Sequence, residues 1–182
     1  MEALRRIFVA VPFPQEIRMA VADRFGRVEI PGKVTPPQNW HITLRFLGTI
    51  DDPTYDRFLE SMDADHLGRS FRIGLGGLGA FPNLRRATVL WSDINRGAGE
   101  LGELAGVAEE SAQSAGLSPE DRPFRAHLSL SRIRPPENVT RLVESTPDLD
   151  LSWRCDSVVV YESVLGRGHP HYEPLETFRL VR

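Results

Sequence analysis

Two short segments of this chain share one pattern, in which a hydroxyl residue follows a histidine by two positions. The first segment pairs His41 with Thr43, and the second pairs His127 with Ser129. In an extended strand, side chains two positions apart point to the same face, so each histidine lies beside its hydroxyl. Two imidazoles and two hydroxyls that meet across a cleft could transfer protons and hold an anion between them.

The chemistry that suits such a pair of histidines is general acid–base catalysis. Imidazole changes charge near neutral pH, so one neutral ring can take a proton from water while a charged ring protonates a leaving oxygen. One His-x-Thr-Leu segment arises easily by chance in a strand. Two copies, each after a proline-rich loop and before a proline-opened helix, favour a shared site. The scheme requires no metal, and we expect neither a metal nor a cofactor.

Arginine residues near both motifs could supply the charge that binds an anion. Arg45 follows the first motif, Arg125 precedes the second and Arg132 follows it. Simple strand alternation puts Arg45 on the face of His41, but it puts Arg132 on the face opposite His127 unless a bulge intervenes. Each arginine taken singly could be a solvated surface charge. Together they predict at least one contact to a phosphate.

Other reactive residues offer weaker sites. His169 and His171 have the spacing of a same-face pair, but they lie in a Gly/Pro-rich turn that indicates surface histidines. His66 has no visible partner. Cys155 is the only cysteine, which excludes an intrachain disulfide. The sequence contains neither a Gly-x-Ser-x-Gly nucleophile elbow nor a phosphate-binding P-loop.

Composition places bounds on the partners. The chain has 182 residues and a formal net charge of −3, so it has no global attraction for nucleic acid. Any contact with a polyanion must come from a local cluster of arginines and must therefore be small. No segment approaches the ~18 apolar residues of a membrane helix. We expect a monomeric cytoplasmic protein without a membrane partner.

The order of predicted elements indicates an internal duplication. A helix, a proline-rich loop, a histidine strand and a proline-opened helix occur twice, which predicts two lobes that face each other. The glycines between residues 74 and 79 predict a turn between two strands. The predicted strands are 6–11, 41–47, 71–75, 88–94, 126–133, 151–154, 158–163 and 176–181. The predicted helices are 15–27, a second from residue 52 through 62, 99–115 and 137–145.

Taken together, these segments resemble the 2H phosphoesterase superfamily, which is named for its two His-x-Thr/Ser-x motifs. The chain is most similar to the RNA 2′,3′-cyclic phosphodiesterases of bacteria and archaea, historically called 2′-5′ RNA ligases. The similarity spans nearly the whole chain. Its segments are residues 6–10, 40–48, 122–132, 161–163 and 166–172.

The resemblance implies an α+β fold with bilobal pseudo-twofold symmetry. Antiparallel sheets would line a central cleft, helices would lie on the outside, and residues 1–182 would form a single domain of two intertwined lobes. The implied reaction is metal-independent hydrolysis of a terminal 2′,3′-cyclic phosphate on RNA, which leaves a 2′-phosphate. The implied partners are RNA ends or oligonucleotides that carry this group.

The resemblance also implies roles for individual residues. His41 would be the proton donor to the leaving 3′ oxygen, and His127 the proton acceptor that activates water. Thr43, Ser129 and Arg132 would bind the phosphate. The family commonly has threonine where this chain has Ser129, whose χ1 angle is less restrained.

One further site residue and several functions stay open. Phe8 matches an N-terminal aromatic residue that could stack on a base, although core packing explains it equally well. Three alternative functions remain: ligation through a 2′-5′ bond, hydrolysis of small cyclic nucleotides or tRNA-splicing intermediates, and a non-enzymatic RNA-end-binding module. The intact pair of histidines argues against the last of these.

Overall fold

The computed structural model of the chain describes residues 3–182. Within them, nine strands and four α-helices form an α+β arrangement, as predicted. The strands are β1 (Leu4–Pro12), β2 (Lys33–Val34), β3 (His41–Asp51), β4 (Phe71–Phe81), β5 (Ala87–Arg96), β6 (His127–Glu137), β7 (Leu151–Cys155), β8 (Ser157–Val164) and β9 (His171–Arg179). The helices are α1 (Gln15–Phe25), α2 (Asp52–Ser61), α3 (Ala98–Ser114) and α4 (Thr140–Ser145).

The strands form two antiparallel sheets, each of which contains one histidine strand. The first sheet has the order β3-β1-β8-β9, and the second has the order β2-β6-β5-β4-β7. In the first sheet the strand that carries His41, β3, lies at the edge. In the second sheet the strand that carries His127, β6, lies beside the short edge strand β2. β3 and β6 also lie against each other, which brings the two motifs together.

The two halves of the chain exchange strands. The order β1-α1-β3-α2-β4 in the first half is repeated by β5-α3-β6-α4-β8 in the second. The strand that ends each of these two series joins the sheet of the other half: β4 pairs with β5, and β8 pairs with β1. This exchange confirms the predicted bilobal, pseudo-twofold architecture, and it makes each sheet depend on both halves.

A bulge in β3 changes which side chains face the cleft. Ala10 pairs with Thr43 and Val9 pairs with Arg45, so Leu44 is an additional residue on β3. Such a bulge reverses the alternation beyond it. Phe46 therefore joins the face of Thr43, while Arg45 turns to the opposite, buried face.

A matching bulge occurs in β6. Trp91 pairs with Ser129 and Leu90 pairs with Ser131, so Leu130 is the additional residue. Arg132 consequently joins the face of Ser129. The first nine residues of β6 repeat, position by position, the order of buried and exposed residues in β3.

The two bulges correct the faces predicted from simple alternation. The expectation that Arg45 shares the face of His41 is wrong, whereas the bulge that Arg132 needs in order to reach the face of His127 is present. Both outcomes have one cause, because alternation assumes an uninterrupted two-residue period and each strand carries one extra residue before its arginine.

A hydrophobic core between the sheets and the helices holds this arrangement. Every second residue of β1 from Ile7 to Val11 is buried in the core, and α1 buries Ile17, Val21 and Phe25 at helical spacing. α2 begins after Asp51, whose carboxylate accepts a hydrogen bond from the Thr54 backbone N–H at 2.9 Å. This cap fixes the end of β3.

The predicted turn at residues 74–79 is wrong, because these residues lie within β4. The glycines there serve close packing: a Cβ atom at Gly79 would overlap the Trp91 ring, and one at Gly74 would overlap the Asn95 side chain. Other boundaries also differ, two of them by more than a change in length. Residues 137–139 precede α4 rather than begin it, and the last strand is Leu175-centred β9 rather than residues 176–181.

Among residues 3–182, no helix has the length and apolar character needed to cross a membrane.

Candidate active site

His41 lies at the start of β3, and both of its ring nitrogens form hydrogen bonds. Its Nδ1 is 2.7 Å from the backbone oxygen of Asn39, and its Nε2 is 2.8 Å from Thr43 Oγ1. A carbonyl oxygen only accepts hydrogen bonds, so Nδ1 carries a hydrogen and donates it. Nε2 of the neutral ring then accepts a hydrogen bond from the Thr43 hydroxyl. The motif therefore places His41 Nε2 beside the hydroxyl of Thr43.

His127 is held in the same way at the start of β6. Its Nδ1 lies 2.7 Å from the backbone oxygen of Arg125, two residues earlier. The same reasoning places the hydrogen on Nδ1. In the described part of the chain Nε2 has no hydrogen-bond partner, so the lone pair of the neutral ring is free to accept a proton from a bound molecule.

The surroundings of both rings favour the neutral form. Burial lowers the pKa of His41 from 6.5 to about 4; the Asn39 carbonyl opposes this shift, and the nearby His127 adds to it. Burial also lowers the pKa of His127, again against the effect of a backbone carbonyl, and the Arg125 guanidinium lowers it further. An anion bound between the rings would favour protonation of one of them.

The hydroxyl and arginine residues of the motifs meet in one cleft of about 1250 Å³. Thr43, His127, Ser129 and Arg132 all line it. Arg132 reaches the cleft because of the bulge in β6, and its guanidinium has no ion-pair partner among residues 3–182. An imidazole, two hydroxyls and a guanidinium without an ion-pair partner, supplied by β3 and β6, suit the binding of a phosphate.

Comparison with known proteins identifies the family. A family model described as "LigT like Phosphoesterase" matches residues 11–91 and 94–172, and each segment contains one His motif. This chain belongs to the LigT-like phosphoesterase family. The resemblance to 2H phosphoesterases seen in the sequence is thereby confirmed.

Two relatives and one solved structure illustrate how far the similarity extends. An RNA 2′,3′-cyclic phosphodiesterase of Aeropyrum pernix is 35% identical over 84% of this chain and 89% of its own length. The protein of that name from Methanocaldococcus jannaschii is 27% identical over 94% of this chain and 98% of its own. The crystal structure of Escherichia coli LigT complexed with 3′-AMP has a TM-score of 0.82 and 24% identity, and covers 99% of this chain and 100% of that chain. This structure supports the fold.

In this LigT-like phosphoesterase an aromatic cluster surrounds His41. The Phe8 ring lies 4.9 Å from the imidazole, and the Tyr172 ring lies 5.3 Å from it, edge to face. Tyr161 also stacks on Phe8, with 5.4 Å between the ring centres. Phe8 is only 2% exposed. Of the two explanations offered for Phe8, this burial among neighbouring rings supports core packing, and stacking on a base stays a prediction.

A second aromatic cluster surrounds His127. The Phe81 ring lies 5.1 Å from the imidazole, edge to face, and the Trp91 ring lies 6.3 Å from it. The Arg125 guanidinium lies 4.6 Å from the centre of the Trp91 ring. Sequence reasoning missed Phe81, Trp91 and Tyr172, because only the strand pairing shows which aromatic residues adjoin the motifs.

Arg45 is bound by acidic residues and is only 7% exposed. Its guanidinium lies 2.5 Å from Glu109 and 2.7 Å from Glu120, and it also donates to the backbone oxygens of Ser118 and Phe46. The expected role of Arg45 in substrate binding is corrected accordingly, because its donors are already engaged. It anchors β3 to α3 and to the loop that precedes β6.

Two exposed phenylalanines in the cleft were not predicted as site residues. Phe46 is 51% exposed, and Phe124 is partly exposed in the loop before β6. The bulge in β3 brings Phe46 to the face of His41. Flat apolar rings beside a phosphate site suit stacking with a nucleobase.

The remaining reactive groups lie elsewhere. His66 pairs with Asp63 at 3.0 Å on the surface, and His171 lies 3.8 Å from Glu173. Burial raises the pKa of the Cys155 thiol to about 12, which makes it a poor nucleophile. Within residues 3–182, histidine, cysteine and carboxylate side chains do not gather in the groups of three that a metal site needs.

Proposed function

We propose that this chain hydrolyses the terminal 2′,3′-cyclic phosphate of RNA and leaves a 2′-phosphate. One observation carries the proposal: His41 and His127 are both held through Nδ1, and His41 Nε2 contacts Thr43, which lines one cleft together with His127, Ser129 and Arg132. The activity named for the Aeropyrum and Methanocaldococcus relatives supports the choice of substrate.

The two histidines have different tasks in the proposed reaction. Nε2 of neutral His127 takes a proton from a water molecule, whose oxygen attacks the phosphorus atom. The bond from phosphorus to the 3′ oxygen breaks, and Nε2 of protonated His41 gives its proton to that oxygen. The product carries a 2′-phosphate and a 3′-hydroxyl, and solvent then restores the two protonation states.

Three other side chains stabilise the phosphate during this step. The Thr43 and Ser129 hydroxyls can donate hydrogen bonds to its non-bridging oxygens, and Arg132 can donate two in parallel. Thr43 has an additional effect. Its hydroxyl contacts His41 Nε2 in the free protein, so the same hydroxyl can be released to the phosphate when that nitrogen becomes protonated.

Substrate binding and protonation of His41 are coupled in this proposal. The free His41 ring is neutral at neutral pH because its pKa is about 4. A proton donor must be charged, and a phosphate anion beside the ring raises its pKa by favouring the charged form. The acid is therefore formed with the substrate in place.

The nucleobase of the substrate suits the exposed aromatic surface of the cleft. Phe46 lies on the His41 face of β3 and is the exposed ring nearest the motif along that strand. We propose that it stacks on the terminal nucleobase. Stacking of this kind tolerates any base, because every base has a π face.

A product analysis tests the proposed function. The protein is incubated with a dinucleotide that ends in a 2′,3′-cyclic phosphate, with and without EDTA, and the product is identified by ³¹P NMR. We expect a 2′-phosphate at the same rate in both reactions, since imidazoles and hydroxyls suffice for the steps above. A 3′-phosphate, or loss of activity that a divalent ion restores, would contradict the proposal.

A further inference from the structure

The loop between β8 and β9, residues 165–170, is tied to the segment that precedes the first motif. Lys33 Nζ donates to the backbone oxygen of Gly168 at 2.5 Å, and Asn39 Nδ2 donates to the backbone oxygen of Pro170 at 2.9 Å. The first bond is on the surface, whereas Asn39 is only 7% exposed. The buried bond is the one adjacent to His41.

Asn39 uses its backbone as well as its side chain. Its N–H donates to the oxygen of Pro36 at 2.9 Å, and its oxygen accepts the hydrogen of His41 Nδ1 at 2.7 Å. One residue thereby connects the preceding turn, the distant loop and the imidazole. A shift of Asn39 would move the acceptor that holds the His41 ring.

The loop that Asn39 binds also delivers Tyr172. This residue lies two positions after Pro170, and its ring contacts both His41, at 5.3 Å, and Phe8, at 4.9 Å. The position of the loop therefore sets the packing against one edge of the imidazole, while the Asn39 oxygen sets its hydrogen bond. Asn39 is therefore linked to both contacts, through its side-chain amide to the loop and through its backbone oxygen to the ring.

The second motif has a corresponding arrangement with different chemistry. Arg125 also lies two residues before its histidine, and its oxygen accepts the hydrogen of His127 Nδ1. Its side chain packs on Trp91 and Phe81, whose rings contact His127. In both halves, the residue at this position orients the histidine through its carbonyl and anchors itself through its side chain.

We propose that Asn39 is a positioning residue for the phosphoesterase reaction: it holds His41 Nδ1 and ties the 165–170 loop, with Tyr172, against the ring. This inference rests on the proposed function, because it assumes that His41 Nε2 faces the reacting phosphate. Nothing in the motif itself assigns a role to the Asn39 side chain.

Asn39→Asp is the sharpest variant for testing it. Aspartate has the shape of asparagine, but it replaces the donor by a charged oxygen that repels the Pro170 carbonyl. We expect kcat to fall roughly 10- to 100-fold, as for a misplaced catalytic group, while KM changes less than about threefold. Asn39→Ala should have a smaller effect in the same direction. Gln38→Ala, the exposed neighbour in the same turn, should match the unaltered protein.

The orientation of the ring can be measured without any substrate. ¹⁵N NMR of the histidine rings should show neutral His41 with its hydrogen on Nδ1 in the unaltered protein and a mixture of tautomers in Asn39→Asp. In Asn39→Ala, which adds no charge, the pKa of His41 should also decrease, because the carbonyl that favours the charged ring is displaced. His127 should be unchanged and serves as an internal control. Lys33→Ala removes the surface tether of the same loop and should leave the tautomer unchanged.

Several results would overturn the inference. One is neutral His41 carrying its hydrogen on Nε2 in the unaltered protein, a result that does not depend on the folding of any variant. Another is a kcat in both Asn39 variants that lies within twofold of that of Gln38→Ala, together with an unchanged His41 tautomer. A loss of kcat in Lys33→Ala equal to that in the Asn39 variants would show that the 165–170 loop, and not Asn39, positions the ring. The ring signals could change as expected while the unaltered protein fails to hydrolyse cyclic phosphates. In that case the proposed function is wrong, but Asn39 still orients the His41 ring.

Discussion

His41 and His127 are oriented through the same ring nitrogen, but their second nitrogens have different partners. Nε2 of His41 faces the Thr43 hydroxyl, whereas Nε2 of His127 is free within the described residues. A free lone pair suits a base, and a nitrogen beside a hydroxyl suits an acid that forms when the anion binds. This asymmetry supports the division of roles in the proposed function.

Replacing either histidine should remove acid–base catalysis. We expect His41→Ala and His127→Ala each to lower kcat by about two to four orders of magnitude. The rate of the unaltered protein should have a bell-shaped pH dependence, which each single replacement should reduce to one limb. Initial rates between pH 4 and 9 measure both effects, and His66→Ala is the matched surface control. Near-normal turnover in either variant would remove that histidine from the mechanism.

Arg132 should provide the charged anchor for the phosphate. We expect Arg132→Ala to decrease kcat/KM by the equivalent of roughly 1.5–3 kcal/mol, the usual value of a hydrogen bond to a charged group. Arg132→Lys should recover only part of this loss, because an ammonium group lacks the planar fork of guanidinium. The measurement is steady-state kinetics with a cyclic-phosphate dinucleotide. If kcat/KM were unchanged in Arg132→Ala while activity was abolished in Arg45→Ala, Arg45 and not Arg132 would be the phosphate ligand.

At the scale of the elements, one additional residue in each histidine strand decides which side chains reach the cleft. Beyond the bulges at Leu44 and Leu130, each residue of the strand points to the face opposite the one that simple alternation predicts. As a result Phe46 and Arg132 occupy equivalent places on the two strands and face the cleft. Arg45 and Ser131 occupy the equivalent buried places. One wall therefore presents an aromatic ring and the other a guanidinium.

Arg45 should contribute to stability more than to catalysis. Its removal would leave Glu109 and Glu120 without their shared cation beside a half-buried segment. We expect Arg45→Met to lower the free energy of unfolding by about 1–3 kcal/mol, less than for a fully buried pair because Glu120 is exposed to solvent. Urea denaturation measures this change, with Arg72→Met as a surface control. A catalytic loss larger than that of Arg132→Ala, without loss of stability, would contradict this prediction.

At the scale of the whole molecule, exchange of β4 and β8 between the halves joins the two motifs into one site. Neither half can complete its own sheet, so the distance between the histidines is set by the whole fold. The net charge of −3 adds a second molecular property, since it gives no general attraction for a polyanion. Recognition must then depend on the cleft.

RNA length should therefore have a modest effect. We expect KM for a ten-nucleotide RNA with a cyclic end to lie within about tenfold of that for a dinucleotide. The logarithm of kcat/KM against the logarithm of salt concentration should have a slope of about −1 to −2, which corresponds to one to three phosphates on a single strand. A much steeper slope for the longer RNA would indicate a basic surface outside the cleft.

The stability of the protein should increase with pH between about 4 and 6.5. His41 has a pKa of about 4 in the folded chain and 6.5 as its ordinary value, so the unfolded chain binds more protons in this range. Stability is lost as pH falls through this interval, by up to about 3 kcal/mol at 1.36 kcal/mol per pH unit. Urea denaturation at several pH values should show a weaker dependence in His41→Gln, whereas His66→Gln should retain it.

Much of the fold and part of the site followed from the sequence alone. The two His-x-hydroxyl motifs, the duplicated order of elements and the strand containing His41 are local patterns, and a local pattern survives in any context that keeps the strand extended. The family also followed, because its motifs extend along nearly the whole chain. The roles of His41 and His127 remain predictions for the experiments above.

Only the tertiary structure decided the faces of Arg45, Arg132 and Phe46. A bulge depends on the partner strand, so the two-residue period of one strand cannot reveal it. Strand pairing likewise placed the glycines of residues 74–79 inside β4, against Trp91 and Asn95, where sequence alone predicted a turn. The Asn39–Pro170 bond joins residues far apart in the chain, and only packing brings such residues together. Residue type and spacing thus predicted a chemistry for the site that the experiments above test, while the orientation of its side chains required the partners that folding supplies.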